Sequence, residues 1–129
     1  MSTPTEIIKD HYAASARKDL DGMLAPFAPD IEWTEMDGFP YAGTYRGIDA
    51  VRDNVFVRLG SEWTDYNATP EQILADGDHV IAFGTYTGTY NATGKPMRAR
   101  FVHHWTIRDG QVVHFEQFTD THLVRQAMS

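Results

Sequence analysis

The pentapeptide FVHHW, residues 101–105, sets a titratable imidazole between two large apolar side chains. Alternate residues of a β-strand share a face, so Phe101, His103 and Trp105 point the same way. The segment DIEWTEM, residues 30–36, repeats the pattern: Ile31 and Trp33 alternate with polar residues, and Glu35 continues their phase. A charged, unpaired carboxylate on such a face costs on the order of several kcal/mol. Tyr12, on the first helix, and Gln117, in the last strand, aim at the same interior. One Glu, one His, one Tyr and one Gln among aromatic residues describe a pocket for a small molecule. Burial disfavours the imidazolium of His103, whereas a nearby carboxylate favours it. A His103–Glu35 pair, bridged directly, by a water or by substrate, can therefore hold one mobile proton near neutral pH, as general acid/base chemistry requires.

Several elements must hold these groups in place. Thr3-Pro4-Thr5-Glu6 reads as a capping box with proline at the first helical position, opening a helix to about Arg17 with Ile8 and Tyr12 one turn apart. Leu20, Met23, Leu24 and Phe27 predict a second, short helix ended by Pro26 and Pro29. Residues 30–37 alternate as a strand, and a Gly/Pro-rich loop runs from Gly38 to Gly47. Ile48, Val51, Val55 and Leu59 give a third amphipathic helix. Strands follow at roughly 63–75, 79–91, 97–108 and 111–120, with turns at Asp76-Gly77, Thr93-Gly94 and Asp109-Gly110. Helices first and an antiparallel sheet afterwards make an α+β arrangement, with helices against one face of a curved sheet.

The last hairpin has two readings. A two-residue Asp-Gly loop pairs Trp105 with His114 and His103 with Glu116. A three-residue Arg-Asp-Gly loop pairs Trp105 with Val113, His103 with Phe115 and Phe101 with Gln117. The second gathers Phe101, Trp105, Ile107, Val113 and Phe115 on one face and is preferred, because a one-residue slip mixes His114 and Glu116 into that set. The inner face then carries His103, Gln117 and Thr119 as its polar members. Trp33, Phe83, Phe101, Trp105 and Phe115 are the expected pocket wall. Val102, His104 and Phe118 fall on the outer face, and Tyr86 and Tyr90 are assigned there too. That is too much apolar area for an isolated face, which predicts a homodimer through it.

The 129-residue length suits one domain, residues 1–129, with a real core. A net charge of −7 without a continuous basic stripe argues against nucleic acid as a partner. The absence of cysteine removes disulfides, thiolate nucleophiles and Cys-ligated metals. No apolar run approaches the ~20 residues that span a bilayer, and no signal peptide is legible, so a cytoplasmic protein is expected, with no membrane partner. His103 and His104 point to opposite faces, and no His/Glu cluster has ligand spacing, so no metal is expected and no cofactor is called for. GTYTGTY, residues 84–90, lacks the strand–turn–helix setting of a phosphate loop.

The stretches HYAASARKDLDGMLAPFAPDIEW, YAGTYRGIDAVRDNVF, ADGDHVIAFGTYTG and RFVHHWTIRDGQVVHFEQFTDT together resemble the SnoaL-like branch of the NTF2-like superfamily, which includes ketosteroid isomerases and polyketide cyclases. The resemblance implies a cone in which three N-terminal helices close a strongly curved, mostly antiparallel sheet over a pocket, usually in a homodimer. It implies that Tyr12 donates to a substrate oxygen and that Glu35 lies at or near the catalytic carboxylate. His103 stands where ketosteroid isomerases keep a protonated carboxylic acid, a departure from their oxyanion hole. Asp120 resembles the acid/base aspartate of the cyclases, although strict alternation turns it outward and a bulge would be needed to bring it in. The expected function is binding of a small apolar or aromatic carbonyl or hydroxyl compound, with cofactor-free isomerase, cyclase or dehydratase chemistry. The alternative is a non-catalytic ligand-binding or dimeric interaction domain: His103 a core imidazole bonded to Gln117 or a carbonyl, Glu35 turned to water, Asp120 a helix cap.

Overall fold

The computed structural model describes residues 2–129. Helix α1 (Pro4–Ala16) opens on the predicted capping box: Thr3 Oγ1 accepts from the Glu6 amide and the Glu6 carboxylate accepts from the Thr3 amide, both at 3.2 Å. Helix α2 (Leu20–Leu24) is capped by Asp19 and gives way to strand β1 (Phe27–Glu35), which starts earlier than its alternation suggests. Inside the expected loop lies a short strand, β2 (Gly43–Arg46), paired with β1. The third amphipathic helix forms as α3 (Ile48–Val51), a wider π-turn over Arg52–Phe56, and α4 (Val57–Glu62). Strands β3 (Trp63–Asp76), β4 (His79–Tyr90), β5 (Pro96–Arg108) and β6 (Gln111–Thr119) follow, and α5 (Thr121–Ala127) ends the chain. Two helices thus precede the sheet; the third follows β2.

The six strands lie in the order β2-β1-β6-β5-β4-β3. All neighbours are antiparallel except β1 and β6, which run parallel. The curved sheet does not close, and α1, α2 and the 48–62 helix cover its concave side. Ile8, Val51, Val55, Val80, Val112 and Trp105, each at most 1% exposed, form the core between the layers. Burying such side chains contributes roughly 1.5–3 kcal/mol each.

Neither expected register of the last hairpin forms. Asp109 and Gly110 have φ of 53° and 77°, the left-handed pair that a two-residue type I′ turn requires. This turn pairs Arg108 with Gln111 and Ile107 with Val112, and a bulge at the next step then sets Thr106 opposite His114. Beyond the bulge Trp105 faces Phe115, His103 faces Gln117 and Phe101 faces Thr119. The tight turn and the inward aromatic set are both kept, and Val112 is the buried valine in place of Val113.

Strand β4 corrects two assignments. Ala82 pairs with His103, Gly84 with Phe101 and Tyr86 with Ala99, so these residues face inward. Phe83 pairs with Val102 on the outer face and is no part of the pocket wall, whereas Tyr86 is buried at 3% exposure. The cause is steric. The Phe101 ring lies over Gly84 so closely that an added Cβ would stand 2.4 Å from its Cζ, so the inward positions beside Phe101 and His103 must be small.

Candidate functional site

A cavity of about 300 Å³ lies between the helices and the concave face of the sheet. Trp33, Trp105 and Phe115 form its aromatic wall, with the Trp33 and Phe115 rings stacked at 3.7 Å between centroids. Tyr12, Glu35 and His103 all line it, as do three residues not assigned to it from sequence: His11, Tyr66 and Tyr86. Phe101 backs the wall, its ring 4.0 Å from that of His103. Gln117 is 1% exposed and lies behind Tyr86.

His103 is held from both sides. The Tyr12 hydroxyl lies 2.6 Å from Nδ1 and the Tyr86 hydroxyl 2.6 Å from Nε2. Each tyrosine oxygen also accepts a second bond: Trp105 Nε1 donates to Tyr12 at 3.1 Å, and Gln117 Nε2 donates to Tyr86 at 3.0 Å. Gln117 is oriented by the Met36 amide, which donates to its Oε1 at 3.4 Å. Burial pushes the His103 pKa well below its ordinary value, with the neighbouring His11 adding to the shift, so the ring is neutral. A neutral imidazole donates from one nitrogen and accepts at the other. One tyrosine therefore gives its proton to His103, and the other receives one and keeps its own to offer. The tautomer of His103 decides which: Tyr12, or Tyr86 with Tyr66 beside it. Burial raises the pKa of all three phenols, keeping them protonated.

Glu35 does not touch this chain. Both His103 nitrogens are occupied, so no direct Glu35–His103 hydrogen bond forms. Trp33 Nε1 donates to Glu35 Oε1 at 3.3 Å, and Oε2, fully buried, has no hydrogen-bond partner. Burial pushes the pKa of Glu35 up to about 8, the Trp33 bond opposing the rise, so the carboxyl is largely protonated at neutral pH and is a hydrogen-bond donor.

Two further assignments are corrected. Asp120 is exposed and caps α5, its Oδ1 accepting from the Leu123 amide at 3.1 Å. No bulge turns it inward, because the strand ends at Thr119 and the chain passes directly into the helix. Thr119 is spent at the strand end, its hydroxyl donating to the Arg100 carbonyl at 2.7 Å, outside the cavity. Among the described residues no three His, Cys, Asp or Glu side chains are grouped to hold a metal ion.

Residues 8–115 match the SnoaL-like domain model. The chain belongs to the SnoaL-like domain family. A solved NTF2-like protein from Burkholderia thailandensis is 54% identical, covering 100% of this chain and 99% of its own, with a TM-score of 0.97. TerC, whose crystal structure was determined with polyporic acid, is 28% identical over 98% of each chain, with a TM-score of 0.88. Patulin synthesis protein F of Aspergillus clavatus is 32% identical over 64% of this chain, which spans only 42% of that protein's length. The fold seen here is that of the family, an NTF2-like α+β cone. Of the residues missed from sequence, His11 had a legible signal: it precedes Tyr12, four residues after Ile7 on the helix face that covers the sheet.

Proposed function

We propose that this SnoaL-like protein is a cofactor-free acid/base catalyst, ketosteroid isomerase-like or polyketide cyclase-like, acting on a flat aromatic molecule with a carbonyl or hydroxyl group. The reading rests on Glu35: a protonated carboxyl, buried in an aromatic cavity, with one oxygen left unpartnered. Natural structures rarely leave such an atom unsatisfied, because an unmade buried bond costs roughly 1–3 kcal/mol. A ligand oxygen is the partner that the cavity supplies. Glu35 protonates or hydrogen-bonds it as negative charge develops, and the tyrosine flanking His103 that keeps its proton offers a second donor. The aromatic wall of Trp33, Trp105 and Phe115 favours aromatic rings, in keeping with the polyporic acid co-crystallized with TerC. No step calls for a cofactor.

The test is keto–enol exchange of benzoylacetone, followed by deuterium uptake from heavy water. Acceleration that falls by 10²-fold or more in Glu35→Gln supports proton transfer by this carboxyl. Binding without acceleration assigns the cavity to ligand capture alone.

A second copy of the chain is the proposed partner for the outer face. Phe118 and Leu74, 43% and 51% exposed, share that face with Ile81, Phe83 and Val102. Tyr86 and Tyr90 no longer contribute: both lie on the other side, Tyr86 buried and Tyr90 with its ring 4.9 Å from that of the buried Trp63. Light scattering at tens of micromolar separates a dimer from the 14.6 kDa monomer.

A further inference from the structure

His103 cannot accept a proton from a ligand without breaking its bond to a tyrosine, and Glu35 is already protonated. A proton-transfer site needs a second group, one with a free lone pair. His11 lies on α1, 4% exposed, its ring packed between Phe27 (centroids 5.6 Å) and Trp105 (4.8 Å), and it lines the same cavity. Its Nδ1 lies 2.9 Å from the Met23 carbonyl oxygen. A carbonyl only accepts, so Nδ1 carries the hydrogen and Nε2 carries the lone pair. Nε2 has no protein hydrogen bond, and the ring that carries it lines the cavity beside Glu35.

We propose that His11 Nε2 is the proton acceptor of the cavity, taking the hydroxyl or acidic C–H proton of a bound aromatic ligand while Glu35 serves as donor. The proposal rests on the acid/base reading of the cavity above. Burial holds the His11 pKa down at about 4, against the bond to Met23, so the ring is a free base at neutral pH. Acid and base are then both uncharged before reaction. For a carbonyl ligand the step balances as follows. The ligand's C–H proton passes to Nε2, the C–H electron pair becomes the enol double bond, and the Glu35 proton passes to the carbonyl oxygen. The imidazolium keeps its Nδ1–H bond to Met23. Where the ligand is a β,γ-unsaturated carbonyl, the enol is a dienol: return of the Nε2 proton to its γ-carbon, with the electron pair of the terminal double bond forming the new C–H bond, and of the enol proton to Glu35 leaves the conjugated isomer and restores both groups. The Met23 carbonyl fixes the tautomer and steadies the transient cation, as the outer partner of a catalytic imidazole does.

The test uses 2-naphthol and 2-methylnaphthalene, flat ligands that differ in one hydroxyl. Wild type is expected to bind the naphthol about tenfold more tightly, the worth of one good hydrogen bond. His11→Asn keeps a donor at the Nδ1 position for Met23 and removes the acceptor. It is expected to cut the preference about threefold or more, leaving only what the Glu35 and tyrosine donors contribute, while binding 2-methylnaphthalene as before. In wild type, the ¹⁵N resonance of Nε2 should begin in the lone-pair range and move upfield with the naphthol only, a readout that does not depend on the variant's folding. A preference undiminished in His11→Asn, or an Nε2 signal indifferent to the hydroxyl, overturns the role of His11 and leaves the cavity reading standing. Failure of both ligands to bind overturns the cavity reading and the role of His11 together.

Discussion

Replacing Glu35 by Gln should change how stability depends on pH more than it changes stability at any one pH. The folded carboxyl titrates at about 8 and the unfolded one at 4.5. Between those values the folded state keeps a proton that the unfolded state has lost, so stability is full below pH 4.5 and is lost as pH rises through 8. Each pH unit costs about 1.4 kcal/mol, and the interval amounts to roughly 5 kcal/mol. Water drawn in by the ionised group lowers that figure, which is a ceiling. His11 acts with the opposite sign: its folded pKa of about 4 lies below the unfolded 6.5, so stability rises with pH across that range. His103, whose pKa burial also lowers, adds to the His11 slope, so the imidazoles outweigh Glu35 up to about pH 6.5, and Glu35 alone governs from there to pH 8. Wild type should lose about 2 kcal/mol between pH 6.5 and 8. Glu35→Gln reproduces the protonated acid in shape, and it should lose nothing there and gain stability from pH 4 to 6.5. Urea unfolding at half-unit pH steps gives both profiles. Parallel curves for the two proteins would refute the buried, proton-holding carboxyl and with it the donor assigned to the reaction.

Tyr86→Phe strips a partner from His103 Nε2 and from Gln117 Nε2, both buried, and should cost about 2 kcal/mol, read as a fall in Tm of roughly 6–10 °C. Gly84→Ala drives a methyl group into the Thr69 carbonyl and the Phe101 ring, and should cost about 3 kcal/mol or more by urea unfolding. Asp120→Ala removes only an exposed cap: about 1 kcal/mol of stability, with the affinity for 2-naphthol unchanged. A loss of affinity in that variant would return Asp120 to the cavity.

Much of this arrangement is legible in the sequence because burial and alternation speak together. Glu35 and His103 stand out as polar residues in apolar phases, and both prove buried. Tyr12 follows from helical spacing. Phe83 and Tyr86 fail because both phases of β4 mix small and large residues, Ala82, Gly84 and Tyr86 in one and Phe83, Thr85 and Thr87 in the other, so the phase that faces inward cannot be read from the strand alone. The steric demand that settles it comes from Phe101, on another strand. The bulge at Val113 is illegible for a related reason: a type I′ turn and an inward aromatic set conflict by one residue, and only the folded hairpin shows that an extra residue absorbs the conflict. His11 is only half legible: its phase belongs to the helix, whereas its chemistry depends on a carbonyl of α2.

The parallel pairing of β1 with β6 has a consequence for how the chain comes to be folded. Strands β3 to β6 are joined in sequence by tight connections and can zip as they emerge from the ribosome. β1 must wait, because the strand that holds Trp33 against Phe115 is the last one synthesised. Closing so long a loop is slow, and contacts distant in sequence delay folding. Until β6 is released, Ile31, Trp33 and the apolar faces of α1 and α2 have no complete sheet to cover, which leaves apolar surface exposed on the growing chain. Substitutions in β1 should then speed unfolding while barely slowing refolding, whereas those in the β4–β5 hairpin should do the reverse.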